Sequence, residues 1–140
     1  DQAERNKIIR SILFMNREMT PEVYGKIFVG VEDSVVRGTN SSFTVELAKE
    51  AGFEMNALMV YTPMVGGREL GVDLGCIHGV DMPPEDNFIT SRVGRDPKAI
   101  ANELGIDYVG FLSVQGLVNV FERFGINGDE LCLECIYSRN

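Results

Sequence analysis

Two adjacent carboxylates, Glu32 and Asp33, stand where a short apolar run of the sequence ends. The run before them, residues 26–31 (KIFVGV), has the length and composition of a parallel β-strand buried on both faces. Ligands of open α/β sheets bind in the crevice outside the carboxyl ends of the strands. Carboxylates there can accept hydrogen bonds from ribose hydroxyls or hold Mg²⁺ through water. The pair is therefore a candidate ligand site, although the same residues could simply cap a strand–helix turn.

The loop that follows, Ser34 to Asn40, is built of small residues and contains Gly38. It leads to Ser41 and Ser42, which are predicted to cap the start of a helix. Backbone N–H groups at a helix N-terminus, together with the helix dipole, can bind a phosphate dianion. Gly38 lets the backbone come close to such an anion, and the hydroxyl of Thr39 can add a hydrogen bond. The pattern predicts a phosphate site directly after the acidic pair.

Three cysteines, Cys76, Cys132 and Cys135, are the other residues capable of metal or redox chemistry. An odd number fits a disulfide framework poorly, so we expect thiols in a reducing cytoplasm. By itself, the C-x-x-C pair is compatible with half a zinc site, a redox pair or an incidental role. His78, the single histidine, is expected to be a loop residue rather than a ligand.

Composition limits the class of protein. The 140 residues carry a net charge of −8 and the basic residues are dispersed, so we do not expect general nucleic-acid binding, which needs a basic surface. No apolar run approaches the roughly 18–20 residues that cross a bilayer, so no membrane segment is expected. The first residues, DQAER, lack the features of a signal peptide, and the missing initiator Met suggests that upstream sequence has been removed.

The spacing of apolar residues, together with Gly, Pro and capping residues at the ends of each run, predicts the helices and strands that position these residues. Strands are expected at 26–31, 55–61 and 108–112, and helices from Ser41–Ser42 to Gly52, from Asp96 to Gly105 and from Ser113 to Gly125. Residues 26–61 thus form a strand–loop–helix–strand pattern, which predicts a right-handed parallel crossover unit. The stretch 65–95, rich in Gly and Pro, is predicted to be a long loop.

Residues 28–40 (FVGVEDSVVRGTN) resemble the motif by which type I phosphoribosyltransferases bind phosphoribosyl pyrophosphate (PRPP). The similarity is greatest to V-D-D-S-I-V-R-G-T-T of the amidophosphoribosyltransferases, and the run SVVRGT is specific to that group. It extends over residues 25–137, where 112–117 (LSVQGL) is similar to L-S-L-E-G-L. The resemblance implies an α/β, parallel-sheet phosphoribosyltransferase (type I) fold, of which this chain is the C-terminal portion.

The resemblance also divides the chain. All 140 residues would be one partial phosphoribosyltransferase domain. Residues 1–24 are a lead-in with little similarity, and 25–61 are the PRPP-binding βαβ unit. A long loop at 62–95 is followed by the C-terminal helices and the C-x-x-C segment at 96–140.

By the same resemblance, the acidic pair faces the ribose hydroxyls and a Mg²⁺ site, and the loop binds the 5′-phosphate. The implied PRPP-binding residues are Glu32, Asp33, Ser34, Val35, Val36, Arg37, Gly38, Thr39 and Asn40, with Glu32 and Asp33 at the Mg²⁺. None of the residues present is assigned as catalytic. Glu32 replaces an Asp of the family and Asn40 replaces a Thr, and both changes bear on affinity.

For the cysteines, the resemblance implies a 4Fe–4S cluster. One class of amidophosphoribosyltransferases holds such a cluster with four cysteines, two of them in a C-terminal C-x-x-C like that at 132–135. A third lies in a segment like P-C-F-Y-G-I-D, which residues 75–81 (GCIHGVD) resemble. Cys76, Cys132 and Cys135 all fall on these positions, and the family's fourth ligand lies upstream of the sequence given. With three thiolates, the cluster would be open at one iron or absent.

The implied activity is that of a glycosyltransferase of de novo purine biosynthesis. Ammonia from glutamine is transferred to PRPP, and the products are 5-phosphoribosylamine, pyrophosphate and glutamate. This segment would supply the ribose-5-phosphate half of the site, with PRPP and purine nucleotides as ligands and a homo-oligomer as the assembly. The family's glutaminase domain and pyrophosphate loop have no counterpart among these residues, so the chain alone is expected to be inactive.

Two alternatives remain open. The first is a non-catalytic phosphoribosyltransferase-like module that binds PRPP or a nucleotide. The second is a structural metal protein in which the three cysteines hold zinc.

Overall fold

The structure, a computed structural model, describes residues 20–76, 78 and 87–137, together with the isolated positions 4, 7, 8 and 18. Most of the lead-in assigned to residues 1–24, and residues 79–81 of the segment after Cys76, therefore lie outside the described residues. The elements in chain order are α1 (Thr20–Val23), β1 (Ile27–Glu32), α2 (Thr39–Glu50), β2 (Met55–Val60), β3 (Gly67–Glu69), β4 (Val72–Leu74), α3 (Ile89–Val93), α4 (Pro97–Leu104), β5 (Tyr108–Phe111), α5 (Val114–Arg123) and a 3-10 helix (Gly128–Glu130).

A three-stranded parallel sheet in the order β1-β2-β5 lies at the centre of the fold. Glu32 at the end of β1 lies opposite Val60, and Leu58 of β2 pairs with Val109 of β5. The crossover unit predicted from residues 26–61 is present, and the α/β architecture with a parallel sheet is confirmed. Because the strands are parallel, their carboxyl ends meet at one edge of the sheet, where residues that are distant in sequence lie side by side.

The predicted starts of α4 and α5 are confirmed because their caps are local. The side chain of Asp96 accepts hydrogen bonds from two backbone N–H groups in the first turn of α4, with Pro97 at the first helical position. Gly105, at φ 69°, ends that helix in the left-handed conformation. Ser113 caps α5 in the same way as Asp96 caps α4. No helix in the described part of the chain combines the length and apolar character needed to cross a membrane.

The start of α2 differs from the prediction. The pattern predicts caps at Ser41 and Ser42, but the helix begins at Thr39 and Gly38 occupies the cap position with φ 82°. The hydroxyl of Ser41 instead donates a hydrogen bond of 2.6 Å to Glu32. The side chain of Ser41 thus contacts the end of β1, and the helix cap lies three residues earlier, at a glycine.

Two clusters of buried apolar side chains stabilise the fold. The sheet cluster lies between the sheet and helices α2 and α4, and its members are Val35, Val45, Leu58, Val60, Ile89, Ile100, Ala101, Leu104, Ile106 and Val109. The C-terminal cluster consists of Val65, Leu133 and Ile136, with Val36, Leu117 and other partly buried side chains packed against it. Adjacent residues of the loop, Val35 and Val36, thus pack into different clusters, so the loop is held from two sides.

The opposite face of the sheet is apolar and exposed. Val31 of β1 is 70% exposed and lies opposite Met59 of β2, which is 44% exposed. Val29 and Tyr108 are exposed on the same face at 56% and 51%. The prediction that the run 26–31 is buried on both faces is therefore wrong for the described residues. The helices of the described residues pack on one side of the sheet. Successive side chains of β1 point to opposite faces, so exposed and partly buried residues alternate along it.

The segment predicted as a long loop, residues 62–95, contains regular structure. Strands β3 and β4 pair as an antiparallel hairpin, and its turn places Leu70 and Gly71 at positive φ, 49° and 86°. Helix α3 follows near the end of the segment. Each hairpin strand has three residues, which is too short for an apolar alternation to reveal it in the sequence.

Candidate functional site

Glu32 ends β1 and is held by a helix that follows it. Its carboxylate accepts the 2.6 Å hydrogen bond from the hydroxyl of Ser41 in the first turn of α2, and Ser41 is 2% exposed. Burial raises the pKa of Glu32, the hydrogen bond from Ser41 opposes that rise, and the neighbouring Asp33 adds to it. The first carboxylate of the predicted pair is thus a positioned, partly buried acceptor at the edge of the sheet.

Asp33 is exposed and lies just beyond the strand. One of its carboxylate oxygens accepts a 2.6 Å hydrogen bond from the N–H of Ser34, and its backbone carbonyl accepts one of 2.7 Å from the hydroxyl of Thr62. Sequence reasoning did not identify Thr62. Its position two residues beyond the end of β2, next to β1 in a parallel sheet, is the signal that would have found it.

The loop after Asp33 is held from behind by helix α3. The carbonyl of Val36 accepts a 2.8 Å hydrogen bond from the N–H of Ile89, and the carbonyl of Arg37 accepts one of 3.1 Å from Nη2 of Arg92. Neither Ile89 nor Arg92 was expected at the site, because both lie in the segment predicted as a loop. The backbone of the predicted phosphate loop is therefore fixed by contacts from more than fifty residues away in sequence.

Gly38 is required for two reasons that the structure separates. Its φ of 82° lies in the left-handed region, which L-residues with a Cβ rarely adopt. A Cβ at this position would also lie 2.8 Å from Cδ2 of Leu104 and 3.1 Å from Cδ1 of Ile89. Side-chain atoms of Leu104 and Ile89 thus occupy the space that a side chain at position 38 would need. A larger residue at position 38, such as Val, would therefore disturb the sheet cluster before it tested the approach of a ligand.

Helix α2 begins directly after Gly38 and presents its N-terminus at the same edge of the sheet. Its first turn contains no acidic residue of its own, and the carboxylate of Glu32 is bonded to the Ser41 side chain in that turn. Asn40 is exposed, and Ser42 donates its N–H to the carbonyl of Gly38 at 2.9 Å. The partial positive charge of a helix N-terminus therefore faces the end of the acidic strand.

The C-terminal segment is fastened next to the site by Arg95, which sequence reasoning also missed. Its guanidinium donates hydrogen bonds to the carbonyls of Gly66, Met64 and Ile136 at 2.6, 3.1 and 2.5 Å. The N–H of Gly66 in turn donates to the carbonyl of Cys135 at 2.7 Å. The acceptors are backbone carbonyls, which every residue carries, so the sequence contains no signal for these contacts.

None of the three cysteines forms a disulfide, and Cys132 is exposed while Cys76 and Cys135 are partly buried. Burial raises the pKa of Cys135, a backbone hydrogen bond opposes the rise, and negative charge on Cys132 and Cys76 adds to it. Within the described residues, however, no group of three or more His, Cys, Asp or Glu side chains is arranged to hold a metal ion. His78 is exposed.

Comparisons with known proteins agree with this geometry. No protein-family model matches the chain. An amidophosphoribosyltransferase from Methanocaldococcus jannaschii is 32% identical over 112 residues, which are 80% of this chain and 21% of that protein. One from Methanothermobacter thermautotrophicus is 31% identical over 135 residues, 96% of this chain and 25% of that protein.

Solved structures lead to the same family. The glutamine PRPP amidotransferase from B. subtilis, complexed with ADP and GMP, has a TM-score of 0.65 and 28% identity, covering 97% of this chain and 28% of that one. A structure described as the allosteric regulatory enzyme of purine biosynthesis has a TM-score of 0.67 and 30% identity, covering 84% and 23%. The chain is homologous to part of the amidophosphoribosyltransferases. It spans about a fifth to a quarter of the length of the first two curated relatives, 21% and 25%.

The likeness to these structures confirms the type I phosphoribosyltransferase architecture, and the similarity to amidophosphoribosyltransferases agrees with the family predicted from residues 28–40. The position of the chain within such an enzyme, the roles of residues 32–40 and the iron–sulfur class stay predictions.

Proposed function

We propose that the chain is part of an amidophosphoribosyltransferase and carries the ribose-5-phosphate half of its PRPP site. In this proposal the longer protein transfers ammonia from glutamine to PRPP, forming 5-phosphoribosylamine, pyrophosphate and glutamate. PRPP and purine nucleotides are its small-molecule ligands, and the glutaminase chemistry resides elsewhere in that protein. The 140-residue chain alone binds ligand without turning it over.

The observation that carries the proposal is the geometry of residues 32–40. A partly buried carboxylate ends a parallel strand, a short loop turns through Gly38, and the N-terminus of α2 follows at once. Such an edge places hydrogen-bond acceptors for sugar hydroxyls beside backbone donors for a phosphate. A ribose 5-phosphate presents the same two chemistries, hydroxyls and a dianion, on one small molecule.

The acidic pair has a defined role in this proposal. As pyrophosphate leaves, positive charge develops on the ribose ring, and carboxylates fixed nearby stabilise it without reorganising. Glu32 is suited to this role because Ser41 fixes its orientation. Asp33 is more exposed and lies beyond the strand, where its second carboxylate oxygen can accept a hydrogen bond from a ribose hydroxyl.

The residues present also fit a magnesium ion. Mg²⁺ prefers oxygen ligands, retains several waters, and is held in proteins by one or two carboxylates together with substrate phosphates. Glu32 and Asp33 are such a pair at the sheet edge, and they would hold the ion largely through water. Bound there, the ion would supply positive charge to the departing pyrophosphate.

For the 4Fe–4S cluster, the donor type fits and the arrangement is incomplete. Thiolates are the ligands of such clusters, and the charges of Cys76 and Cys132 both raise the pKa of Cys135. The described residues do not form a finished metal site around them. We therefore propose a structural cluster in the longer protein only if a fourth ligand comes from outside the described residues.

The experiment that tests the PRPP half-site is calorimetric titration of the chain with ribose 5-phosphate and Mg²⁺, with ribose as the uncharged comparison. Asp33→Asn is the informative variant, because an Asn oxygen can still accept from the N–H of Ser34 while the charge is removed. Asp73→Asn, at an exposed hairpin position, is the matched control. We expect Asp33→Asn to weaken Mg²⁺-dependent binding by about tenfold, a loss of about 1.4 kcal/mol, and to leave the thermal midpoint nearly unchanged.

Two results would count against the proposal. If the parent chain binds ribose as tightly as ribose 5-phosphate, the loop is not a phosphate site. If Asp33→Asn lowers stability and leaves affinity unchanged, the acidic pair caps a turn, as the competing interpretation of the sequence holds.

A further inference from the structure

We propose that Arg92 is a positioning residue for the phosphate loop, because it holds the carbonyl of Arg37 and thereby aims the N–H of Gly38 at the bound phosphate. This inference deepens the proposed function and rests on it. The residue lies 54 positions after Gly38 in sequence, in a segment that shows no binding motif.

The argument begins with the peptide planes of the loop. In a trans peptide, the C=O of one residue and the N–H of the next point in opposite directions. The described residues contain no cis peptide bond. Because the carbonyl of Arg37 points back to Nη2 of Arg92 at 3.1 Å, the N–H of Gly38 must point away from α3. The carbonyl of Val36, held by the N–H of Ile89 at 2.8 Å, turns the preceding plane in the same sense.

The two anchors differ in kind. Ile89 acts through its backbone, so no substitution of its side chain removes the hydrogen bond. Arg92 acts through its side chain, so the orientation of one peptide plane depends on which residue stands at position 92. A substitution there can change the direction of the Gly38 N–H without touching the loop itself.

Arg92 is itself fixed in place by several contacts. Nη1 donates to the carbonyl of Asn87 at 2.9 Å, and Nη2 lies 3.3 Å from a carboxylate oxygen of Glu103 on α4. The planar guanidinium carries five donors in a rigid fork, so it can bridge three acceptors at once. A lysine ammonium is a single point on a flexible stem and cannot reproduce that geometry.

The platform behind Arg92 is rigid. Phe88 and Ile89 are 1% and 0% exposed, and the hydroxyl of Thr90 donates to the carbonyl of Val65 at 2.8 Å. Helix α3 is therefore built into the core on one side and presents Arg92 to the loop on the other. The Arg92 side chain thus links the conformation of the loop to the packing of the core.

The test compares Arg92→Met with Arg68→Met in the 140-residue chain. Arg68 is a matched control because its guanidinium also donates to a backbone carbonyl, that of Gly71, and lies 3.7 Å from a carboxylate oxygen of Asp73. Both variants lose an arginine with the same types of contact, but Arg92 is 38% exposed against 69% for Arg68, so we expect the thermal midpoint to fall somewhat more in Arg92→Met. Arg92→Met should bind ribose 5-phosphate about tenfold more weakly, and Arg68→Met should bind as the parent chain does.

A spectroscopic readout separates orientation from general stability. In ¹H–¹⁵N spectra of the ligand-free chain, the Gly38 cross-peak should move in Arg92→Met and stay in place in Arg68→Met. Arg92→Lys keeps the charge and should recover only part of the affinity. If Lys restores binding fully, the charge alone is sufficient and the positioning role is wrong.

The outcomes distinguish the two proposals. If the parent chain binds and Arg92→Met binds equally well with an unmoved Gly38 cross-peak, the positioning role is overturned and the PRPP half-site stands. If the parent chain does not bind ribose 5-phosphate, the half-site is refuted. The Gly38 cross-peak of the ligand-free variants then still decides whether Arg92 orients the loop.

Discussion

Replacement of Gly38 by alanine tests the packing behind the phosphate loop. The residue occupies the left-handed region at φ 82°, and an added Cβ would meet Cδ2 of Leu104 at 2.8 Å and Cδ1 of Ile89 at 3.1 Å. Both neighbours belong to the sheet cluster. The substitution therefore introduces backbone strain and a steric clash together.

The two effects have separate magnitudes. An L-residue with a Cβ in the left-handed region costs about 1–2 kcal/mol. Inserting a methyl group into a well-packed core costs about 1–3 kcal/mol more, since the leucine and isoleucine must shift. Gly38→Ala should therefore lower the free energy of unfolding by about 2–5 kcal/mol, a large part of the about 5–15 kcal/mol typical of a domain.

Gly71→Ala is the matched control because it isolates the strain. Gly71 has φ 86° in the β3–β4 turn, and an added Cβ there meets no atom within 4 Å. It should lose about 1–2 kcal/mol. Urea unfolding followed by far-ultraviolet circular dichroism measures both variants, and the difference between them is the clash alone.

Equal losses for the two variants would refute the reasoning. They would mean that the space behind Gly38 is open, and that the loop is not seated against Leu104 and Ile89. A glycine at position 38 would then be required for backbone conformation or ligand approach alone.

Two further predictions concern titratable groups. Glu32→Gln should be at least as stable as the parent chain at pH 7 yet bind ribose 5-phosphate more weakly, because burial raises the pKa of Glu32 and the amide has no charge to desolvate. The pKa of Glu32 is higher in the folded chain than in the unfolded one, so the parent chain should gain stability relative to the variant as pH falls through that raised pKa. Urea unfolding between pH 7 and pH 4 measures this trend, and the opposite trend would contradict the prediction. In the metal-free chain, exposed Cys132 should react with iodoacetamide at pH 7 faster than Cys135, whose pKa burial raises. Peptide mass spectrometry measures the rates, and equal rates without metal would show that the two thiols share one environment.

The parts of the site that could be predicted from the sequence are those whose signals are local. The strand, the acidic pair and the loop through Gly38 follow one another along the chain, and each has a residue type suited to its role. The start of α4 was equally predictable, because Asp96 caps the turn that directly follows it. Local signals of this kind survive folding because neighbours in sequence remain neighbours in space.

The rest depends on contacts between distant residues. Helix α2 starts at Thr39, and the hydroxyl of Ser41 donates to Glu32, nine residues earlier, a contact that a capping pattern cannot reveal. Thr62 and Arg92 contact backbone carbonyls of the loop, and a carbonyl acceptor has no residue-type signature. The exposure of β1 on one face likewise depends on which helices pack on the sheet.

Val35 and Val36 pack into different clusters, and this has a consequence for local opening of the fold. Separation of the C-terminal cluster from the body would remove one of the two supports of the loop, while the sheet cluster keeps the other. A ligand that binds the loop in the conformation described here should therefore disfavour separation of the C-terminal cluster, because linked equilibria are reciprocal. Amide hydrogens of residues 131–137, which are distant in sequence from the loop, should then exchange with solvent more slowly when a ligand occupies the loop.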